Sequence, residues 1–141
     1  MFRSSVEKSF LKSASYPKKY ARIPFITVSN FPDLGLLTAL RFLEWVSENP
    51  EGVISLPTGK TPEYFIKWVQ LILHKWDNKA IEMVRDEKGL TVKKKPNLKG
   101  LRFVQIDEFY PINPDQHNSF FNYVMNYYIC LLYTSPSPRD A

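Results

Sequence analysis

The sequence predicts an α/β domain of the Rossmann-like type, with a doubly wound parallel sheet in βαβαβ order. Three short apolar runs at 24–28, 53–56 and 101–106 have the length and β-branched composition of buried strands. Segments with helical spacing of apolar residues lie between them, which predicts parallel strands joined by right-handed crossovers. Polar residues follow the second and third runs directly, where sheets of this kind bind ligands.

The first part of the chain contains an arm, a strand and a long helix. Residues 1–24 are predicted to form an N-terminal arm or a short amphipathic helix, because apolar residues recur there at a spacing of four. The first strand, 24–28, follows. Asp33 is the predicted N-cap of a helix that runs to about Glu48, where an Asn-Pro-Glu-Gly sequence stops it.

The middle of the chain contains the second strand, a tight loop and a second long helix. Thr61 is the predicted N-cap of this helix, and Pro62 suits its first position. The expected apolar face of the helix is broad and consists of Tyr64, Phe65, Trp68, Val69, Leu71, Ile72 and Trp76.

A shorter helix at about 80–87 and a polar connection lead to the third strand. The aromatic-rich run 119–129 is then predicted to be helical, with Asn118 or Ser119 as its cap.

Composition excludes several classes of protein. Of the 141 residues, 44% are hydrophobic and 15% aromatic, which supplies a packed core and argues against a disordered chain. No apolar span approaches bilayer length and no secretory cleavage pattern follows the start, so we expect no membrane partner. The single cysteine, Cys130, excludes disulfide stapling of residues 1–129 and fits a cytoplasmic protein.

The charge of the chain does not indicate a nucleic-acid-binding protein. A net charge of +5 is modest, and the one lysine cluster, 93–95, is flanked by proline, asparagine and glycine rather than by stacking aromatics. We interpret it as a solvated loop. The alternative is a weak general attraction of an anionic substrate.

The last twelve residues resemble no folded element. Read as codons, the run from Cys130 resembles the transposon-end adapter of sequencing libraries, so 130–141 are interpreted as a translated adapter. The domain at 25–129 would then be the N-terminal part of a larger sheet, truncated after its third strand and the helix that follows.

The loop Thr58, Gly59, Lys60 and Thr61 has the chemistry of an anion site. It leads into a helix N-terminus, where free backbone N–H groups and the helix dipole favour negative charge. Glycine permits close approach, the threonine hydroxyls can donate hydrogen bonds, and the lysine adds a positive charge. The alternative is that Thr61 merely caps a helix. The glycine spacing of an ATP-binding P-loop is absent.

Asp107 and Glu108 follow the third strand directly. A carboxylate desolvated at such a strand end can act as a proton acceptor. The structural alternatives are a salt bridge, a helix cap or a metal ligand. The chemistry of the two carboxylates alone does not decide between a structural and a catalytic role. Because neighbouring strand residues point to opposite faces, only one of the two is expected to face a given cavity.

These two segments resemble those of one enzyme family. The sequence Leu-Pro-Thr-Gly-Lys-Thr-Pro at 56–62 is similar to the Leu-Pro-Thr-Gly-Ser-Thr-Pro loop of the glucosamine-6-phosphate deaminase/isomerase family, and Ile-Asp-Glu-Phe at 106–109 resembles its Met-Asp-Glu-Tyr strand end. The residues His117, Ser119, Phe120 and Phe121 echo its downstream histidine, serine and aromatic segment. The similarity covers roughly 25–129.

The resemblance implies a cofactor-free, metal-free reaction on a phosphorylated amino sugar. Such a substrate is isomerised and loses ammonia, which gives a ketose phosphate. Asp107 matches the proton acceptor, Thr58 to Thr61 match the phosphate loop, and Glu108 is expected to orient the loop or bind the sugar. Lys60 departs from the family by replacing a small hydroxyl residue. The resemblance leaves open whether the protein forms a homo-oligomer.

The family's ring-opening aspartate and histidine have no counterpart at His74 or His117, which we interpret as structural. We therefore expect residues 1–141 by themselves to be inactive. Two alternative functions are weighed. The 6-phosphogluconolactonases share the fold but have arginine where this chain has Phe109. A non-catalytic sugar-phosphate sensor would keep the loop and need no Asp107.

Overall fold

A computed structural model describes residues 3–12 and 22–130. Within these ranges the chain forms five α-helices, one π-helix and one sheet of two strands. In chain order they are α1 (Ser5–Lys12), α2 (Phe31–Glu48), β1 (Val53–Ile54), α3 (Glu63–His74), α4 (Lys79–Glu87), β2 (Arg102–Phe103), α5 (Phe120–Tyr123) and the π-helix Val124–Ile129. The remainder of the predicted arm at 13–21 and the predicted adapter from 131 onward lie outside the described residues. Cys130 is exposed at the end of the π-helix.

The prediction of a three-stranded, doubly wound βαβαβ sheet is wrong. Only two strands of two residues each pair within the described residues. In the segment 24–28, Ile26 and Val28 are partly buried against the core while their neighbours are exposed, as in a half-buried strand. This segment nevertheless pairs with neither strand. Side-chain alternation predicts which residues turn inward, whereas a strand also requires a partner for its backbone hydrogen bonds.

What remains of the predicted topology is one parallel crossover. Val53 pairs with Arg102 and Ile54 with Phe103, in parallel. The connection between the two strands contains α3 and α4, and parallel strands require such a long crossover. Both strands are shorter than the runs that predicted them.

Helix α2 begins three residues earlier than the cap prediction implied. Asn30, not Asp33, is the N-cap, and its side-chain oxygen accepts a hydrogen bond from the Asp33 backbone N–H at 2.8 Å. Asp33 lies in the first turn, where its negative charge favours the helix dipole. The predicted end at Glu48 is confirmed.

Helix α3 also begins differently from the prediction. Pro62, not Thr61, occupies the N-cap position, and it offers no side-chain hydrogen bond. The predicted apolar face is only partly buried, because Tyr64 and Leu71 are exposed. Trp76 is buried beyond the end of the helix, where its ring stacks on the guanidinium of Arg85.

The shorter helices agree with the sequence patterns. The predicted helix 80–87 is α4, which Asn78 caps by accepting from the N–H of Ala80 at 2.9 Å. The predicted helix 119–129 is α5 together with the π-helix, and Ser119 is its cap. The lysine cluster 93–95 is an exposed loop, as predicted.

Helix α1 packs against α2 through a buried carboxylate. Glu44 of α2 accepts hydrogen bonds from the N–H and hydroxyl of Ser5, at 3.0 and 2.8 Å, and from the hydroxyl of Ser4. It also lies 3.5 Å from Arg41, which pairs with Glu7 of α1. A buried carboxylate supplied with several donors is tolerated, and here it holds the N-terminus of α1.

The hydrophobic core lies where α2 crosses α3. Gly35 of α2 meets the backbone of α3 directly: a Cβ atom at this position would lie 2.5 Å from Tyr64 Cβ and 2.9 Å from Phe65 N. The fully buried side chains include Val6, Leu40, Leu43, Val69, Ile72 and Tyr128. No helix among the described residues is long and apolar enough to cross a membrane.

We expect Gly35→Ala to lower the free energy of unfolding by about 1 to 3 kcal/mol, the usual range for overpacking. The alanine would gain helix propensity, but its methyl group overlaps backbone atoms that cannot rotate away. Urea unfolding followed by circular dichroism would measure the change. Ser47→Ala, at an exposed position of the same helix, is the control. A Gly35→Ala chain as stable as the control would contradict the close crossing.

Candidate functional site

The two predicted site segments begin at the same edge of the sheet. The N–H of Arg102 donates to the carbonyl of Gly52, and the N–H of Val104 donates to the carbonyl of Ile54, each at 2.9 Å. Since β1 and β2 run parallel, their carboxyl ends lie side by side. The loop 57–62 therefore leaves the sheet beside the segment 104–109.

The loop after β1 presents polar side chains that make no bond to the described residues. Gly59 has φ +91, a conformation that favours glycine, and apart from Gly59 and its two chain neighbours no described residue has an atom within 4 Å of where its Cβ would be. Lys60 and Thr61 are exposed and Thr58 is half-buried. Within the described part of the chain, none of these three side chains makes a hydrogen bond or salt bridge, so all remain able to bind a ligand.

The charge on this loop is only partly balanced by its surroundings. The pKa of Glu63, in the first turn of α3, is lowered chiefly by its hydrogen bond to Lys67 and by that lysine's charge, and to a lesser degree by Lys60. The Glu63–Lys67 ion pair is 2.7 Å long and exposed. Lys67 therefore neutralises most of the carboxylate's effect, and Lys60 keeps its positive charge toward solvent.

Asp107 borders an open cleft of about 600 Å³ beyond β2. The cleft is formed mainly by the segment 105–112, with Phe121 from α5 on its other side. Asp107 is exposed, and the Gln105 side chain donates to its backbone carbonyl at 2.8 Å. The dry surroundings expected for a proton acceptor are not provided by the described residues.

Glu108 also borders this cleft, contrary to the expectation that only one of the two carboxylates would face a given cavity. The strand ends at Phe103, so the alternation of side chains along a strand does not extend to Glu108.

The carboxylate of Glu108 is saturated by hydrogen bonds from within the chain. One oxygen accepts from the N–H groups of Phe109 and Phe120, both at 3.0 Å. The other accepts from the Ser119 hydroxyl at 2.8 Å and the Phe121 N–H at 2.9 Å. Glu108 thereby fastens the end of β2 to the N-terminus of α5.

These hydrogen bonds lower the pKa of Glu108 from 4.5 to about 2. The Phe121 N–H contributes most, partial desolvation opposes the shift, and the other donors add to it. All four donors stabilise the ionised form, which is the usual origin of such a depression. The group is therefore an anion at any physiological pH and a poor proton acceptor.

Sequence reasoning missed two tyrosines that join the same helix to the loop. The Tyr123 hydroxyl donates to the Gly59 carbonyl at 2.8 Å, and the Tyr128 hydroxyl donates to the carbonyl of Pro57. The aromatic run was interpreted only as a helix with a packing face. No local signal reveals a hydrogen bond to a carbonyl more than sixty residues earlier in the chain.

The two halves of the site share an edge and a helix but not a cavity. Among the described residues, Asp107 bonds to no part of the loop, and Thr61 borders a separate apolar groove of about 740 Å³ against α2. His74 and His117 are both exposed. In the same ranges, no three histidine, cysteine, aspartate or glutamate side chains cluster as metal ligands would.

Comparison of the chain with protein-family models, with curated proteins and with solved structures gave no match. The family resemblance therefore stays a prediction that rests on the two segments themselves.

We expect Glu108 to make the stability of the chain pH-dependent in acid. Because its folded pKa is depressed, its contribution is complete above pH 4.5, the unfolded value, and is lost as the pH falls toward 2. Glu108→Gln should therefore be less stable than the parent at pH 7 and approach it near pH 2. Urea unfolding at several pH values would measure both trends.

The matched control is Glu51→Gln, because Glu51 is exposed and accepts no hydrogen bond from a described residue. It should follow the parent at every pH. Parallel pH profiles for the parent and Glu108→Gln would show that the carboxylate is not held as described.

Proposed function

We propose that this chain supplies the phosphate loop and the proton acceptor of an enzyme that isomerises and deaminates an amino-sugar phosphate such as glucosamine 6-phosphate. The observation that supports the proposal most is the parallel pairing of β1 with β2, which sets the loop 57–62 and the segment 104–109 at one edge. The sequence resemblance requires this adjacency, and strand ends are where α/β sheets bind ligands.

The loop is the phosphate end of the proposed site. The hydroxyls of Thr58 and Thr61 make no hydrogen bond to a described residue, and Lys60 has a charge that no described carboxylate neutralises by a salt bridge. Charge-assisted hydrogen bonds from such groups to phosphate oxygens are among the stronger polar contacts. The adjoining N-terminus of α3 adds a favourable dipole.

Asp107 is the catalytic end. In the proposed reaction its carboxylate takes the proton from sugar carbon 2 and returns it to carbon 1, so that an enolamine forms and is reprotonated. Water then adds to the resulting imine and ammonia leaves, which gives the ketose phosphate. Asp107 is solvent-exposed in the described structure, and a bound sugar would displace water from the cleft and strengthen its interactions there.

Glu108 has an orienting role in this proposal. Its oxygens are occupied by four donors of the chain, and its low pKa makes it unsuitable as the base. Asp107 and Glu108 are neighbours, yet only Asp107 leaves its carboxylate available to a substrate. We assign no ring-opening group to this chain, and we propose the cytoplasm as its compartment because residues 1–129 contain no cysteine.

We expect the 141-residue chain to bind glucosamine 6-phosphate with an affinity set by the charges at the loop. Lys60→Met should weaken binding roughly tenfold at low salt, as expected when a charge-assisted hydrogen bond is removed. Glu63→Gln should strengthen binding, because it removes a nearby negative charge. Isothermal titration calorimetry would give both dissociation constants.

Lys94→Met is the matched control for the Lys60 variant, since it removes the same charge from the exposed loop 93–95. Equal losses in the two variants would mean that only the general field attracts the sugar, and the loop would not be the site. In assays of the whole enzyme of which this chain is proposed to supply a part, release of acid from a phosphogluconolactone without release of ammonia from the amino sugar would favour the lactonase alternative instead.

A further inference from the structure

Residues 120–129, which comprise α5 and the π-helix and are called here the aromatic helix, contact both halves of the proposed site. At its N-terminus, Ser119 and the first two N–H groups hold Glu108 beside Asp107. Farther along, Tyr123 and Tyr128 bond to the loop after β1. The aromatic helix is thus the one helix of the described structure that is hydrogen-bonded to both the segment after β1 and the segment after β2.

The π-helical geometry explains why both tyrosines reach the same loop. They are five residues apart, and in an α-helix that spacing would separate them by about 140° around the axis. The i→i+5 hydrogen bonding of the segment Val124–Ile129 reduces this angle and brings residues five apart closer to one side. Their hydroxyls consequently bond to carbonyls only two residues apart, at Pro57 and Gly59.

Both phenols are held in the neutral, donating form. Burial raises the pKa of Tyr128, and the neighbouring Tyr123 raises it further. Burial is also the main cause of the raised pKa of Tyr123, with smaller effects from Tyr127 and Glu63. Tyr128 is fully buried and its ring stacks on Phe103 of β2, 6.0 Å between centroids, so its hydroxyl is fixed relative to the sheet.

The loop itself has little packing to hold it. Gly59 has open space around the position of its missing Cβ, and Thr58, Lys60 and Thr61 make no side-chain bonds to described residues. The polar contacts that fix its middle are therefore the hydroxyl of Tyr123 and the turn bond from the Glu63 N–H to the Lys60 carbonyl, 3.1 Å. Of these two, only the tyrosine comes from outside the loop and its helix.

We propose that Tyr123 and Tyr128 are positioning residues that hold the phosphate loop at a fixed place relative to Asp107. The inference rests on the proposed function. Neither hydroxyl needs to touch the substrate, because both are bonded to the backbone of the loop. The two hydrogen bonds fix the loop before a phosphate binds. The entropy cost of ordering the loop is then not subtracted from the binding free energy.

The test compares Tyr123→Phe with Tyr127→Phe, which removes a hydroxyl from a half-exposed ring whose centroid lies 4.6 Å from that of Tyr123. Within the described residues the Tyr127 hydroxyl donates to no carbonyl. Dissociation constants for inorganic phosphate, glucosamine 6-phosphate and unphosphorylated glucosamine would be measured at a temperature where all chains are folded. We expect Tyr123→Phe to weaken the binding of inorganic phosphate and of glucosamine 6-phosphate in the same proportion, roughly 2- to 10-fold. The dissociation constant of glucosamine should not change.

A second measurement follows the loop without any ligand. Trypsin can cut after Lys60 in the native chain, and cutting after Lys94 in the loop 93–95 is an internal reference. The rate of cleavage after Lys60, divided by the rate after Lys94, should rise roughly 2- to 10-fold in Tyr123→Phe and stay at the parental value in Tyr127→Phe. Tyr128→Phe should raise it as well, and the Lys94 reference corrects for any global loss of stability caused by changing a buried residue.

The outcomes separate the inference from the function on which it rests. If the parent chain binds phosphate and Tyr123→Phe changes neither the affinity nor the cleavage ratio, the positioning role is overturned while the proposed function stands. If Tyr127→Phe has the same effects as Tyr123→Phe, the hydrogen bond to Gly59 is not their cause and the inference is again overturned. If the parent chain binds neither phosphate ligand, the proposed function fails and the inference fails with it.

Discussion

The crossing of α2 over α3 at Gly35 is the contact on which the position of the site depends. The two helix backbones meet with no room for a side chain between them. The chain between these helices contains β1 and the loop 57–62, so the crossing fixes where both begin and end. A displacement of α3 would move the start of its first turn and with it Lys60.

The sheet sets the direction in which the two segments leave β1 and β2, but it adds little to the stability of the fold. Each strand has two residues, and so small a ladder cannot hold two loops in register by itself. The side chains of the aromatic helix add what the sheet lacks, since Tyr128 stacks on Phe103 of β2 and bonds to Pro57 beyond β1. The strand edge is therefore defined jointly by a short parallel ladder and by side chains that reach across it.

The charged groups at this edge divide into those bonded to other described residues and those that make no salt bridge with them. Glu108 accepts hydrogen bonds from the N-terminus of α5, and Glu63 forms a salt bridge with Lys67. Asp107 and Lys60 make no salt bridge with a described residue and stay exposed. Two neighbouring carboxylates thus have different surroundings, because only Glu108 lies within reach of the Ser119 hydroxyl and the N–H groups of α5.

The sequence by itself determined where the longer helices lie and that a polar segment follows each of the two strands. Helical periodicity and stop residues located α2, α3 and α4 to within a few residues, because these signals are local. The caps were predicted less accurately. Asn30 and Pro62 are the N-caps in place of Asp33 and Thr61, because a shift of one to three residues changes the cap but leaves most of the buried face unchanged.

Only the tertiary structure decided the number of strands, the capture of Glu108 and the bonds of the two tyrosines. All three depend on contacts between residues distant in sequence. A local sequence pattern does not predict which carbonyl group or which partner strand a residue will contact.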